Sequence, residues 1–467
     1  MITQDYIIEY ILKICLIIII IIIALIMRVY LLFKYKWVGK DTFYNYLIAE
    51  NIRRYKKLPK TVEIFALNED YDYPPFLHIF ISKFNKKYDQ KLQYISPILD
   101  ILSAIIIFVT CNYLFDFNIA VVAMSLYLFT PLSLDNSIMF NSRSFGSLFF
   151  TVSIISIICF FITDNWLFIT LTILFSCLIL LTHRLTTQSW LIVMLVFSFA
   201  FQSVEPLIII ITSIFLSIIL SKTFYVTVLK GHIQFLITFG KKMLDKNGRK
   251  EIPNKLPSPV ILLNMPVLIL IISFLPYMND DIIKYFVICG ISVTALSILW
   301  IFGEGIRHMA NAVMPYAIVT AIWIIHSNNF KLFYLILIVS FAISVYKLYR
   351  FETMPSLGNI MQKEVIEAFN YIRVNKKEGD VLLCLPLDLT YNAAYFTDCT
   401  MLQSSGGFAK GLEVNQVLHS MIREGKIKEL TEKYNAKWII NLTKNDYEMP
   451  GIEVYRMGYI SIYKIND

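Results

Sequence analysis

Polar residues that could carry chemistry stand just outside the long apolar stretches of this 467-residue chain. Asp41 follows the first apolar stretch, and a carboxylate there could accept the proton of a hydroxyl group or orient it for attack. Three arginines occupy comparable positions later on: Arg143, Arg184 beside His183, and Arg307 beside His308. A guanidinium is permanently charged and binds two phosphate oxygens at once. Together these residue types indicate group transfer from a phosphate.

Each assignment has a plainer alternative. Asp41 could cap a loop helix together with Thr42. Glu304 could orient Arg307 or simply pair with it. Any single arginine at the end of an apolar stretch could extend to lipid head groups. Three such arginines on one side of a membrane favour a shared anion site.

Further candidates lie in or near NEDYDYPPFLHIF, residues 68–80. Asp72 either contacts substrate or belongs to a solvated acidic loop. Tyr73 precedes two prolines that restrict the loop backbone. His78 is either a ligand or a hydrogen-bonded interfacial residue. Asp100 lies inside an apolar stretch, where a charge is costly, so it is expected to face the helix bundle or a water-lined space.

The elements that position these residues are membrane helices. The chain is 57% hydrophobic and 16% charged, whereas soluble proteins are roughly 45–50% apolar. A hydrocarbon core about 30 Å thick needs roughly 20 apolar residues per helix, and about eleven such stretches occur. They predict a polytopic α-helical membrane protein with spans at residues 8–27, 95–115, 118–133, 146–162, 165–182, 188–203, 205–221, 260–276, 283–302, 310–326 and 330–349.

The connections between these spans are unequal. If the spans alternate in direction, the connections after the odd-numbered spans share one side. That side carries a first loop at 34–92, the segments around the three arginines, and a basic loop at 221–259 that includes an apolar stretch typical of an interfacial helix. The other side has short links such as TDNW and QSVEP. This segregation predicts a site at one membrane surface.

Residues 352–467 differ from the transmembrane domain 1–351. Helix-like stretches such as KEVIEAFNYIRVNKKEG alternate with short β-like runs, DVLLCLP, KWIIN, GIEVYRM and YISIYKI. This alternation predicts a small soluble α/β domain. The sequence contains neither GxGxxG nor GxxxxGK[ST], and its cysteines lack metal-site spacing.

Several motifs resemble the GT-C superfamily, whose members are multispanning glycosyltransferases that use polyprenyl-phosphate-linked sugars. They are GKDTFYNY after the first span, YDYPPFLH before the second, SRSFG before the fourth, GEGIRH with a following proline before the tenth, and EAFNYI in the tail. The tail lacks Trp-Trp-Asp-Tyr-Gly, which argues against an oligosaccharyltransferase.

The resemblance implies a mannosyltransferase-like enzyme that moves a sugar from a dolichyl or undecaprenyl phosphate carrier to a protein, glycan or lipid acceptor. Asp41 would be the catalytic carboxylate, and a divalent metal is optional. The predicted substrate-binding residues are Asp72, Tyr73, His78, Asp100, Arg143, His183, Arg184, Glu304, Arg307 and His308.

Two other functional classes compete with this hypothesis. A transporter or flippase of polyprenyl-linked glycans should show internal repeats and ionisable residues at mid-membrane. A non-catalytic envelope scaffold leaves the segregated carboxylate and arginine clusters unexplained. Nucleic acid is excluded as the partner of the +8 net charge because the cations border membrane segments and no binding module accompanies them.

Two arguments predict opposite membrane faces for the side that carries the motifs. Lysine and arginine crowd the side that carries the motifs, and the positive-inside rule places such a side in the cytoplasm. The GT-C resemblance places it on the external face. Long loops and domains cross membranes regardless of their charge, so we predict an external site and tail.

Overall fold

The computed structural model describes residues 4–66, 69–244, 264–266, 268, 280–299, 305–353, 360–402, 417–442 and 448–465. Most of the predicted span 260–276 lies outside these ranges, as do Glu304 and the second half of the basic loop. Every other predicted span coincides with a described helix. The helices of this part of the chain are α1 (Gln4–Tyr35), α2 (Lys40–Tyr55), α3 (Phe76–Ser82), α4 (Asp89–Leu92), α5 (Ile95–Leu114), α6 (Phe117–Phe129), α7 (Pro131–Ile138), α8 (Ser142–Thr163), α9 (Trp166–Thr182), α10 (Arg184–Ala200), α11 (Glu205–Leu220), α12 (Phe224–Leu244), α13 (Asp281–Ile298), α14 (Gly305–His326) and α15 (Phe330–Thr353).

Among the described helices, six are long and apolar enough to cross a membrane: α1 from Ile11 onward, α5, α8, α13, α14 and α15. The pair α6 and α7 passes the same test only as one span bent by 58°. Helices α9, α10 and α11 are apolar but shorter. The chain is therefore a multi-pass membrane protein, and the short third span predicted at 118–133 is this bent pair.

A buried arginine ties the bend to two other helices. Pro131 begins α7 and has no N–H group, so the helical ladder is interrupted there. Arg28 of α1 donates from Nη2 to the Leu128 carbonyl, 2.8 Å away, and from Nε to Asp100 of α5, 2.6 Å away. The hydroxyl of Tyr127 also donates to Asp100, at 2.9 Å. Both charges are thus satisfied inside the bundle, which is what burial of an ion pair requires.

The chain divides into two compact units. Unit 1 contains residues 1–33, 94–225 and 239–350, and unit 2 contains residues 34–93, 226–238 and 351–467. Unit 2 therefore joins the first loop and part of α12 to the tail. The domain boundary between residues 351 and 352 stays a prediction.

The strands are β1 (Thr61–Val62), β2 (Glu69–Asp70), β3 (Val381–Leu385), β4 (Thr400–Met401), β5 (Ala436–Asn441), β6 (Ile452–Met457) and β7 (Ile460–Lys464). A small mixed sheet in the tail has the order β4-β3-β5-β7-β6. Its β3 pairs in parallel with β4 and β5, whereas β7 is antiparallel to β5 and β6. Four of these strands coincide with the β-like runs of the sequence, and the two-residue β4 gave no such signal. A separate hairpin in the first loop pairs β1 with β2. The tail also contains the helices α16 (Lys363–Asn375), α17 (Thr390–Thr397) and α18 (Ile427–Lys433).

Aromatic rings and a hydrogen bond to Asp89 hold the first loop to the tail within unit 2. The ring of Phe43 on α2 lies 5.3 Å from that of Tyr395 on α17, centroid to centroid. Buried Asp89 accepts hydrogen bonds from Arg53 and from the Tyr395 hydroxyl, the latter at 3.2 Å. Burial raises the pKa of Asp89, and Arg53 opposes that rise. Segments more than 300 residues apart in sequence thus share one core.

Candidate active site

The three predicted arginines of unit 1 each lie at the N-terminus of a helix. Arg143 is in the first turn of α8, Arg184 begins α10, and Arg307 is in the first turn of α14. The free N–H groups and dipole of a helix N-terminus attract anions and disfavour cations. Arginines at three helix N-termini therefore form an arrangement that an anion would stabilise.

Electrostatics show that these positions belong together. Burial lowers the pKa of His183, in the link between α9 and α10, well below its usual value. The charges of Arg143, Arg307, His308 and Arg184 lower the pKa of His183 further. We call these five residues the cation cluster. His183 is therefore neutral at physiological pH and adds no positive charge to that of the arginines.

A close approach of two helices shapes the cluster. A Cβ added to Gly146 of α8 would lie 2.8 Å from the Thr186 hydroxyl oxygen and 3.2 Å from the His183 Cβ. His183 caps α10 by accepting from the Thr186 backbone N–H at 3.3 Å. The glycine of the SRSFG motif is therefore needed so that Arg143 and His183 come near each other.

His308 connects the cluster to the contact between α10 and α14. Its Nδ1 lies 3.0 Å from the Ser189 hydroxyl, which also accepts a hydrogen bond from the Asn311 amide at 3.1 Å. His308 is fully buried. This polar chain fixes how the first turn of α14 packs against α10, and so where Arg307 lies.

A second charged pair in unit 1 was missed in the sequence. Lys347 of α15 forms an ion pair with Asp135 of α7 and donates to Asn264. The charge of Arg143 also acts on Asp135. The only sequence signal was a lysine near the end of an apolar span, which resembles an ordinary interfacial residue.

Asp41 lies in the first turn of α2, in unit 2. The N-cap of α2 is Gly39, whose φ of 88° is a conformation that favours glycine. The Thr42 hydroxyl donates to the Val38 carbonyl at 3.0 Å. Neither Asp41 nor Thr42 is therefore the capping residue. The Asp41 side chain is half-buried, and its catalytic role stays a prediction.

His78 is held between protein groups. Its Nδ1 is hydrogen-bonded to the Tyr71 hydroxyl, and its Nε2 lies 3.0 Å from Asn45 Oδ1 on α2. Burial lowers the pKa of His78 to about 3, so the ring is neutral. The neutral ring donates from Nε2 to Asn45 and accepts from Tyr71. These bonds fasten the YDYPP turn to α2, and substrate contact by His78 stays a prediction.

The other predicted residues of the first loop lie around this histidine. The Tyr73 ring centroid is 6.0 Å from that of His78. Asp72 is buried and packs directly against Gly231 of α12, which leaves no room for a Cβ at that glycine. We call Asn45, Tyr71, Asp72, Tyr73 and His78 the first-loop core. Their roles in substrate binding stay predictions.

Asp100 and Glu304 complete the predicted set. Asp100 faces the interior of unit 1, where Arg28, Tyr127 and Ser133 surround its carboxylate. The pairing with Arg28 accounts for its burial, and its contact with substrate stays a prediction. Glu304 lies outside the described residues.

No preformed metal site is found among the described residues. Asp70 and Asp72 form an Asp-x-Asp sequence, but Asp70 is exposed while Asp72 is buried. Within the described ranges, no group of three or more His, Cys, Asp or Glu side chains is arranged to hold a metal. We therefore derive no chemical step through one.

Comparison with solved structures places this geometry in a known architecture. The chain aligns with AglB, the Archaeoglobus fulgidus oligosaccharyltransferase in complex with an inhibitory peptide and a dolichol-phosphate, with a TM-score of 0.62 and 10% identity over 93% of this chain and 69% of that one. It also aligns with ArnT from Cupriavidus metallidurans bound to undecaprenyl phosphate, with a TM-score of 0.61 and 9% identity over 97% of both chains. The chain therefore shares the fold of these two proteins.

A further similar structure is the Archaeoglobus fulgidus oligosaccharyltransferase in complex with Zn and sulfate, with a TM-score of 0.61, 12% identity, and coverage of 91% of this chain and 67% of that one. No family model and no curated protein matches the sequence. At such identities the likeness shows the fold alone, and the substrates must be inferred from the residues of the site.

Proposed function

We propose that the chain is an integral membrane glycosyltransferase that moves a sugar from a polyprenyl phosphate carrier to an acceptor hydroxyl. The observation that carries this proposal is the cation cluster, with arginines at three helix N-termini. Two proteins of similar fold were solved with undecaprenyl phosphate and with dolichol-phosphate. A phosphate on a long apolar chain combines the two chemistries that unit 1 offers, apolar helices and an anion site.

The cations act on the leaving phosphate. As the bond between the sugar carbon and the phosphate oxygen breaks, negative charge grows on the phosphate, which stays on the carrier. Guanidinium groups of Arg143, Arg184 and Arg307 stabilise that charge.

The carboxylate acts on the acceptor. Asp41 accepts the acceptor proton as the new bond forms between the acceptor atom and the sugar carbon. Asp72 and Tyr73 in the first-loop core, and His78 through its link to α2, hold the loop that carries Asp41. The sugar and the acceptor are not specified by these residues, and the acceptor is a protein, a glycan or a lipid.

We place the site and the tail on the external face of the membrane. The test is cysteine labelling in intact cells. Of the cysteines in the described residues, Cys15 is exposed and the others are buried. The substitution Cys15→Ser therefore removes the native cysteine that is most accessible to the label. Val374→Cys, at a position 82% exposed, should then react with an impermeant maleimide. Reaction only after permeabilisation would place the tail in the cytoplasm.

We also propose that transfer uses a divalent metal, because one protein of similar fold was solved with Zn. Transfer by the purified chain should be measured after chelation and after adding back Mg²⁺, Mn²⁺ or Zn²⁺. Loss on chelation with recovery on addition supports a metal. Unchanged transfer removes it.

The test of the function is sugar transfer by the full chain in proteoliposomes. Undecaprenyl- and dolichyl-phosphate sugars with a labelled hexose are supplied together with a membrane extract as acceptor. Release of the free carrier phosphate with the label passing to an acceptor is expected. Movement of the labelled lipid between leaflets without cleavage would instead identify a flippase.

A further inference from the structure

In the part of the chain that the structure describes, Gln188 on α10 is a buried amide with two unsatisfied polar atoms, whereas the indole of nearby Trp190 has one. The hydroxyls of Thr182, Thr186, Thr187 and Ser189 all make hydrogen bonds within the protein. Gln188 is 8% exposed, yet neither Nε2 nor Oε1 of its amide has a hydrogen-bond partner among the described residues. A buried amide without partners costs free energy, and an apolar bundle makes that cost larger.

The position of Gln188 links it to the cation cluster. It follows Arg184 by four residues, so the two side chains lie on the same face of α10. Helical side chains point back towards the N-terminus of their helix. The amide of Gln188 is therefore carried towards the level of Arg184, at the end of α10 where the arginines gather.

The chemistry of an amide differs from that of the arginines. A guanidinium only donates hydrogen bonds, whereas the Gln188 amide donates from Nε2 and accepts at Oε1. A ligand that satisfies both atoms presents an acceptor and a donor side by side. The junction between a phosphate and a sugar does this, through a phosphate oxygen and a sugar hydroxyl.

We propose that Gln188 binds the donor at this junction, with Nε2 donating to a phosphate oxygen and Oε1 accepting from a sugar hydroxyl. This assignment rests on the proposed function. Gln188 would then favour binding of the sugar-bearing donor over the bare carrier phosphate, because the carrier phosphate can form only the first of the two hydrogen bonds.

The consequence for stability distinguishes this role from a structural one. Replacing an unsatisfied buried amide by an apolar group of similar size removes a cost from the free protein. Gln188→Leu should therefore leave the unfolding temperature of the free chain unchanged or raised, while it weakens donor binding. A glutamine that stabilises the fold through a water molecule would give the opposite pair of results.

Thr320 provides a matched control. Its hydroxyl is also buried without a hydrogen-bond partner among the described residues. It lies on α14, twelve residues after His308, or about 18 Å along the helix axis. Thr320→Val should leave binding of both lipids unchanged, whatever it does to the unfolding temperature.

The experiment measures thermal unfolding of the full chain in detergent, alone and titrated with undecaprenyl phosphate or with undecaprenyl-phosphate hexose. For Gln188→Leu we expect affinity for the sugar-bearing lipid to fall about 10-fold or more, the effect of losing two hydrogen bonds of which one is charge-assisted. Affinity for the bare phosphate should fall less. A lower unfolding temperature of the free variant with unchanged affinities would overturn the assignment.

The proposed function fails in a different way. If the wild-type chain is stabilised by neither lipid, both the donor site and the role of Gln188 are wrong. If the wild type binds both lipids and Arg184→Ala weakens both, the donor site stands. An equal loss of both lipids in Gln188→Leu would then show that the amide contacts only the phosphate and overturn its sugar contact.

Discussion

The cation cluster of unit 1 and the first-loop core of unit 2 look alike in sequence, because both are polar groups beside apolar stretches. Their geometry differs. In the first-loop core, the two ring nitrogens of His78 are bonded to Tyr71 and Asn45. In the cation cluster, Arg143, Arg184 and Arg307 bring like charges to helix N-termini, where cations are disfavoured.

We expect this difference to separate residues that mainly stabilise the fold from residues that mainly bind a ligand. A polar group whose bonds are made within the protein contributes to stability, and removing it should cost stability first. For the arginines of the cation cluster, we expect removal to cost ligand binding first.

Asp41→Asn is expected to have the largest effect on turnover. It keeps the size of the side chain but removes the basicity that accepts a proton, so transfer should fall roughly 10²–10⁴-fold. Binding of undecaprenyl phosphate and the unfolding temperature should stay near wild type. Glu378→Gln, at an exposed acid of the tail, is the control and should keep full turnover. Turnover near wild type in Asp41→Asn would remove Asp41 from the chemistry.

Asp100→Leu should instead destabilise the protein. It leaves the buried guanidinium of Arg28 without its charge partner, and breaking a buried pair costs about 3–5 kcal/mol. The double variant Arg28→Met with Asp100→Leu should recover much of the loss in a denaturant titration. Weaker donor binding by both the single and the double variant, measured on folded protein, would support the substrate contact predicted from the sequence.

His78→Phe should cost stability without lowering donor affinity. Phenylalanine keeps the ring packing against Tyr71 and Tyr73 but removes the bonds to Asn45 and Tyr71. We expect the free energy of unfolding to fall by about 2 kcal/mol. Native-state binding of undecaprenyl phosphate should equal that of the wild type. A variant of unchanged stability that binds the donor poorly would show that His78 contributes to donor binding and not to the stability of the fold.

The pH dependence of stability should be the smallest effect. The pKa of His78 is about 3 in the folded chain and about 6.5 when unfolded. The unfolded state therefore binds more protons below pH 6.5, and stability falls as the pH drops through that value. Between pH 8 and pH 6 the loss should be about 1 kcal/mol for this histidine. His78→Phe should flatten the profile over this range, and an unchanged slope would show that His78 is already charged in the fold.

Much of the fold could be predicted because it depends on local patterns. Apolar runs gave the helices α5, α8 and α15, and alternation gave β3 and β5, since burial imposes a period on the sequence. The arginines of the cluster could be found because they directly precede or begin apolar runs. The pairing of Arg28 with Asp100 spans 72 positions, and that of Lys347 with Asp135 spans 212, so no local pattern records them.

The lack of hydrogen-bond partners at Gln188 also could not be predicted from the sequence. The sequence around a glutamine on an apolar helix is the same whether or not neighbouring groups form hydrogen bonds with its amide. The same holds for His78, for which a ligand and a hydrogen-bonded structural residue were both open. Only the positions of the surrounding groups separate these cases, because satisfaction of a polar group depends on residues from several elements.

The most direct test of the cation cluster is the binding of undecaprenyl phosphate to the full chain in nanodiscs. Each of Arg143→Ala, Arg184→Ala and Arg307→Ala should weaken binding by roughly 10- to 100-fold, since a hydrogen bond to a charged group contributes about 1.5–3 kcal/mol. His78→Phe should bind like the wild type. Arginine variants that bind like the wild type, or a His78 variant that loses binding to the same extent, would contradict the account.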